Sequence, residues 1–250
     1  DARPPRDLSS GKQREDSSMR RAIEMLVDGR VDACVSSGNT GALVGFARHL
    51  CGLFGGVKRL AICAQLPTFA RSTYMLDVGG NVDCSAEQLF QFAQMGQALF
   101  KSLNGSADVC RVGALSIGRE GGKGASAVKL AAAYCESASD MDYVGMIEGD
   151  DILFGAADVI FCDGFVGNVA LKACEGAARY IQSIVNGEQL SNAKAASWDQ
   201  RINPDQFNGA YLLGVKNMIV KAHGASNEVG FYAAMQKAVD PVSGNLQQQL

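Results

Sequence analysis

The sequence is short of the residues and motifs that announce most catalytic chemistries. It holds only two histidines, His49 and His223, and a single tryptophan, Trp198. There is no GxSxG elbow to activate a serine. The GxxxxGK[ST] loop and the GxGxxG fingerprint are also absent, which removes the P-loop and the dinucleotide-binding turn. Eight cysteines (34, 51, 63, 84, 110, 135, 162 and 174) include no CxxC pair, so neither a structural zinc nor a disulfide frame has its clustered spacing. Reduced, buried thiols are expected, with no metal. No apolar run approaches the ~20 residues of a spanning helix, and no signal-peptide pattern opens the chain. A net charge of −3 argues against a nucleic-acid partner. These absences lead to the expectation of a soluble, cytoplasmic protein.

What is plentiful is glycine, 29 residues, many of them placed just after apolar strand-like runs. There the backbone must turn sharply or approach a ligand. The organising stretch is Asp158–Lys172: an apolar run, Val159–Cys162, then Asp163-Gly164, then Phe165-Val166-Gly167 leading into a helical pattern from Asn168. It reads as a buried strand, a glycine-rich turn and a helix N-terminus. The same order recurs at Val31–Leu43 and Tyr74–Leu89. Three such turns suggest a shared anion-binding crevice past strand ends, where open α/β sheets bind ligands.

The rest of the chain alternates strands with helices of roughly ten to eighteen residues, which implies βαβ units and a mainly parallel sheet covered by helices. Strands are expected at Val31–Val35, Leu60–Leu66, Thr73–Val78, Arg111–Ile117, Tyr143–Ile147, Asp158–Asp163 and Met218–Lys221. Helices are expected at Met19–Val27, from the Ser36–Gly41 loop to about Leu50, from a Ser85 cap to about Leu103, at Ala125–Cys135, at Asn168–Val185, and from a Ser226 cap through Val239. The whole chain, 1–250, reads as one domain. Residues 1–16 form a surface arm, 186–203 an irregular connection, and 241–250 a tail.

Four stretches carry polar groups at strand ends. Ser36-Ser37-Gly38-Asn39-Thr40-Gly41 offers amides and hydroxyls at a helix start, where either a cap or a bound phosphate uses the same atoms. Asp77 to Asp83 (DVGGNVD) places two carboxylates and Asn81 around Gly79-Gly80. The loop Gly118–Gly124 (GREGGKG) brings Glu120 and Lys123, as a flap over an anion or as a solvated surface loop. Lys221-Ala222-His223 ends the last strand, offering a compact cation for phosphate and an imidazole suited to proton transfer near neutral pH.

Taken together, Ser17-Ser18-Met19, VSSGNTGAL, LDVGGNVDC, GREGGKG, YVGMIEGDDI, ADVIFCDGFVGNVALK and FNGAYLLGVKNMIVKAHGAS resemble the bacterial phosphate acyltransferase (PlsX) family of phospholipid synthesis, in the family's order. The resemblance implies a three-layer α/β/α sandwich related to phosphotransacetylases and isocitrate-type dehydrogenases. It implies transfer of a long acyl chain from acyl carrier protein to inorganic phosphate, without a metal or organic cofactor. It also implies a homodimer lying peripherally on the inner membrane face, in reach of a downstream acyltransferase. Family members open with a further strand and a glycine-rich turn, after which this chain starts. On that pattern Ser36, Ser37, Gly38, Asn39, Thr40 and Gly41 bind phosphate, helped by Lys221 or Lys123. Asn81 or Asn168 donates to the oxyanion, and His223 protonates the departing thiolate. Asp77, Asp83 and Asp163, with Gly80, Glu120 and Gly164, shape and orient the site. A non-catalytic carrier-protein or membrane-docking relative, or an isocitrate-type dehydrogenase, are the alternatives.

Overall fold

The computed structural model describes residues 17–68, 72–120, 122–187 and 203–243. Its eight strands form one sheet: β1 Ala33–Ser36, β2 Ala61–Leu66, β3 Thr73–Leu76, β4 Arg111–Leu115, β5 Asp142–Ile147, β6 Val159–Phe161, β7 Ala210–Leu213 and β8 Met218–Lys221. The spatial order is β1-β8-β7-β2-β3-β6-β4-β5. Four of the pairings are parallel: β1 with β8, β3 with β6, β6 with β4, and β4 with β5. Between these two parallel blocks lie three antiparallel pairings, β8–β7, β7–β2 and β2–β3. The antiparallel centre has a consequence for function. It makes the β1/β8 block run opposite to the β3/β6/β4/β5 block, so their strand-end turns leave the sheet at opposite ends of the strands.

Among the described residues, six helices cover the sheet: α1 Ser18–Val27, α2 Thr40–Phe46 (continued by a π-helical turn, Ala47–Cys51), α3 Ala86–Asn104, α4 Ser126–Ser137, α5 Gly164–Gly187 and α6 Glu228–Ser243. Helix α3 starts on a reciprocal cap in which Ser85 and Gln88 each bond the other's backbone, satisfying two orphan N–H groups. It buries Leu89, Phe92, Leu99 and Phe100 against β3, β4 and β6, with Tyr74 edge-on to Phe100. On the other sheet face, Ile62, Ala64, Leu66, Met75 and Ile160 form a second core that α5 partly covers with Leu171 and Cys174.

Several boundaries depart from the sequence pattern. Strand β7 was not expected; Ala210–Leu213 is only four residues long and too short to show alternation. Helix α5 begins at Gly164, four residues before Asn168, because the Asp163 carboxylate accepts from the N–H groups of Phe165 and Val166, both at 2.9 Å. A side-chain cap overrides the two glycines that read as loop. Helix α6 is capped by Asn227, whose side chain accepts from Gly230 N–H at 2.8 Å. Ser226 is instead occupied with Asn208 and the His223 carbonyl. Among the cysteines, Cys84 and Cys174 are partly exposed and the other six are buried; all eight are free. Burial pushes the Cys84 thiol up to about 11 and Cys51 likewise to about 11, away from reactive thiolate. The expected arm at 1–16 lies outside the described residues, as do 188–202 of the expected connection and 244–250 of the tail.

Candidate active site

A cleft of about 1420 Å³ runs across one sheet face beneath α5. Ile62, Ala64 and Leu66 line it from one side of β2, since alternate residues of a strand share a face. Leu171, Ala178 and Ile181 of α5 and Phe207 add further apolar wall.

One end of the cleft is the meeting of the β3 and β6 turns. Asp77, fully buried, accepts four hydrogen bonds: from Ile62 N–H at 2.9 Å, Gly80 N–H at 3.0 Å, Asn81 N–H at 2.6 Å and the Asn81 side-chain amide at 2.8 Å. Burial raises its pKa despite these donors. The Asn81 amide also donates to Leu60 O at 2.8 Å, so its hydrogens are spent holding the turn rather than facing a ligand. Helix α5 seats its first turn on this knot. The Gly164 N–H donates to Asn81 O at 2.7 Å, and a Cβ at Gly167 would lie 2.0 Å from Asp77 O. Only glycine permits that approach. Gly79, Gly164, Phe165 and Asn168 open onto the cleft, with Asn168 beside Gly79.

The other end is built by β8, the start of α2 and the middle of α5. Lys221, His223, Thr40, Lys172, Glu175 and Arg179 all line it. Desolvation, then the neighbouring Lys172, pull the Lys221 pKa down. His223 is lowered by desolvation first, then by Lys172, with Arg179 and Lys221 acting in the same sense and Glu175 opposing. Its Nδ1 accepts from Ala225 N–H at 3.2 Å, which leaves the neutral ring's proton on Nε2. Glu175 pairs with Lys172 at 2.8 Å and Arg179 at 3.5 Å. Four positive or potentially positive groups thus face one carboxylate, an arrangement suited to a dianion.

The structure sorts the residues expected from sequence. Asp163 caps α5 at the first end of the cleft without lining it. Asn168 and Gly164 line that end, while Lys221, His223 and Thr40 line the other. The remaining Ser36–Gly41 groups are largely consumed locally: Ser36 Oγ accepts from Gly38 N–H at 3.2 Å, Asn39 caps α2 through Ala42 N–H at 3.0 Å, and Ser37, Gly38 and Gly41 are exposed outside the cleft lining. Asp77, Gly80 and Asn81 support the turn from behind, and Asp83 is exposed beyond it. Glu120 and Lys123 are not among the lining residues. Their loop follows β4, two strands from β3 toward the sheet edge, and is held by Arg119 to Asp151 at 2.6 Å. Sequence reading missed Lys172, Glu175 and Arg179. With Asn168 they form a stripe at i, i+4, i+7 and i+11, a helical signal visible in the sequence once α5 is placed.

Among the described residues, no group of three or more His, Cys, Asp or Glu is arranged to hold a metal ion, and no helix is long and apolar enough to cross a membrane.

The fold is that of the phosphotransacylases. It resembles a branched-chain phosphotransacylase from Enterococcus faecalis (TM-score 0.62, 12% identity, covering 90% of this chain and 78% of that one). It also resembles the EutD phosphotransacetylase of Staphylococcus aureus (TM-score 0.57, 16% identity, covering 93% and 67%). A 4-hydroxythreonine-4-phosphate dehydrogenase from Klebsiella pneumoniae shares it at a TM-score of 0.54, with 11% identity over 90% of this chain and 68% of that one. Residues 7–249 match the family described as "Fatty acid synthesis protein". The phosphate acyltransferase of Legionella pneumophila is 43% identical over 94% of this chain and 72% of its own length. That of Pseudomonas aeruginosa is 41% identical over the full chain and 76% of its own length. The chain belongs to this family and is a phosphate acyltransferase, an enzyme that transfers an acyl group to phosphate in phospholipid synthesis.

Proposed function

We propose that the acyl donor is a long-chain acyl thioester of acyl carrier protein and that inorganic phosphate attacks it directly in the α5 cleft. The observation that carries this reading is the division of the cleft: an apolar trough for a hydrocarbon chain, ending at Lys172, Lys221, Arg179 and His223. Phosphate is already ionised near neutral pH, so no residue has to generate the nucleophile. Lys172 and Lys221, with Arg179, hold it against the thioester, a placement that makes the attack effectively unimolecular. Attack forms the P–O–C bond and a tetrahedral oxyanion. Asn168, one helical turn before Lys172, donates its amide to that oxygen. Collapse breaks the C–S bond, and the His223 Nε2–H donates a hydrogen bond to the departing thiolate, which takes its proton from water. The thiol's own pKa of about 8.5 makes that help modest. Acyl phosphate and free carrier protein are the products. Thr40 completes the phosphate end, and Asp77 and Asp163 keep the two α5-side turns in place.

The assay is acyl-phosphate formation from palmitoyl carrier protein and phosphate. Absence of phosphate-dependent release of free carrier protein from the intact chain overturns the reading. We propose further that the enzyme is a homodimer, supported by an apolar stripe of α5 that is exposed among the described residues: Val166, Val169, Tyr180 and Ile184 at helical spacing. Light scattering tests this, and a monomer at working concentration refutes it. Peripheral contact with the inner membrane face and with a downstream acyltransferase follows from the product, whose apolar chain must pass into lipid. Cosedimentation with anionic vesicles tests it.

A further inference from the structure

The strap Asn203–Gly209 forms one rim of the cleft, and a lysine outside the cleft braces it. Lys237 of α6 is 7% exposed, and its ammonium donates to Phe207 O at 2.6 Å and Gly209 O at 3.0 Å. Burial pulls its pKa down to about 7. The helix and the strap are in close contact here. Gly209 has φ +100, and a Cβ on it would meet Ala234 Cα at 2.9 Å. The residue between the two clamped carbonyls is Asn208. Its side-chain oxygen accepts from its neighbour Gly209 N–H at 2.8 Å and from His223 N–H at 2.9 Å. Its amide donates to Ser226 Oγ at 2.6 Å, and that hydroxyl donates to His223 O at 2.6 Å. Both backbone groups of His223 are therefore tied, directly or through Ser226, to the one residue that Lys237 brackets.

We propose that Lys237 and Asn208 are positioning residues for His223: Lys237 clamps the strap, and Asn208 transmits that clamp to the imidazole-bearing turn. This rests on the role given to His223 above. A lysine buried without need of its charge is costly, and a methionine of similar length would fill the same space among Cys63, Ala234 and the strap. What methionine cannot do is fix the two carbonyls that flank Asn208. Freed of the clamp, the strap shifts, the two backbone ties of His223 slacken, and the ring loses its set orientation toward the thioester.

Four enzymes test this: Lys237→Met, Asn208→Ala, His223→Ala and the double variant Lys237→Met/His223→Ala. Two readouts are used: kcat with palmitoyl carrier protein and phosphate, and the imidazole titration by NMR. The second is simple because His49 is the only other histidine. Lys237→Met and Asn208→Ala are each expected to lower kcat by about tenfold with the phosphate KM within about twofold, since a misplaced group costs the chemical step. Both are expected to raise the His223 pKa toward the ordinary imidazole value as the ring leaves the surroundings that lower it. The groups facing it, Lys172, Glu175 and Arg179 of α5 and Lys221 of β8, are unchanged in both variants. In the His223→Ala background, Lys237→Met is expected to cost less than twofold, because its effect passes through the missing ring. A full tenfold cost in that background, or an unmoved His223 titration in a folded Asn208→Ala protein, overturns the proposal. If Lys237→Met does not fold, Asn208→Ala carries both readouts. If His223→Ala itself is fully active, the role of His223 fails rather than the clamp, which the NMR titration still decides.

Discussion

Replacing Asp77 by asparagine probes the knot on which the β3 end of the cleft depends. The side chain keeps its shape, but one carboxylate oxygen becomes an NH2 group. Whichever way the amide turns, two N–H donors lose their acceptor: Ile62 and Gly80 on the Oδ1 side, or the two Asn81 donors on the Oδ2 side. Each orphaned, buried donor costs about 1–3 kcal/mol. The variant no longer buries a charge, and that relief offsets part of the loss. A net destabilisation of about 2–4 kcal/mol remains, or about 5–15 °C in Tm for a chain of this size. The pH dependence supplies an independent sign. The folded-state pKa of Asp77 is raised by burial, so between its ordinary and its folded value the native state binds a proton the unfolded chain lacks. Stability from this group is then present at low pH and falls as pH rises through that window. Asp77→Asn abolishes that component. Paired thermal melts of wild type and variant across the acid range measure both effects. A variant with unchanged Tm at neutral pH and unchanged turnover would refute the assignment of the carboxylate as the anchor of the turn.

Other substitutions separate support from chemistry. Gly167→Ala drives a methyl into Asp77 O and should cost about 3 kcal/mol or more, read as a lower denaturant midpoint. Asn39→Ala removes the α2 cap and should cost about 1 kcal/mol of stability; a sharp rise in phosphate KM without loss of stability would return that loop to the site. Lys172→Met and Lys221→Met should each raise the phosphate KM about tenfold, and unchanged phosphate dependence in both removes the cation group from the site. Lys237 titrates at about 7 when folded and near 10.4 when unfolded, so its contribution to stability rises with pH across that interval, by up to about 1.4 kcal/mol per unit. Lys237→Met should flatten this rise in pH-dependent melts.

The α/β class, the order of most elements and the family are legible in the sequence, because these are written locally. Apolar runs mark β2, β3 and β6, Ser85 marks the start of α3, and the glycine turns after β3 and β6 carry their own conformational reason. The sequence also placed Asn168, Lys221 and His223 at strand or helix ends, where they line the cleft. Tertiary structure decided which turns meet. The three antiparallel pairings at the centre of the sheet, two of them through the unmarked four-residue β7, invert one parallel block against the other, and no local pattern encodes a strand's neighbours. That inversion sets the β3/β6 knot at one end of the cleft and β8 at the other, with α5 spanning between them. It turned Lys172, Glu175 and Arg179 from surface charges on a helix into site residues. It also left Glu120 and Lys123, on a loop that looked equally suited to an anion, two strands away.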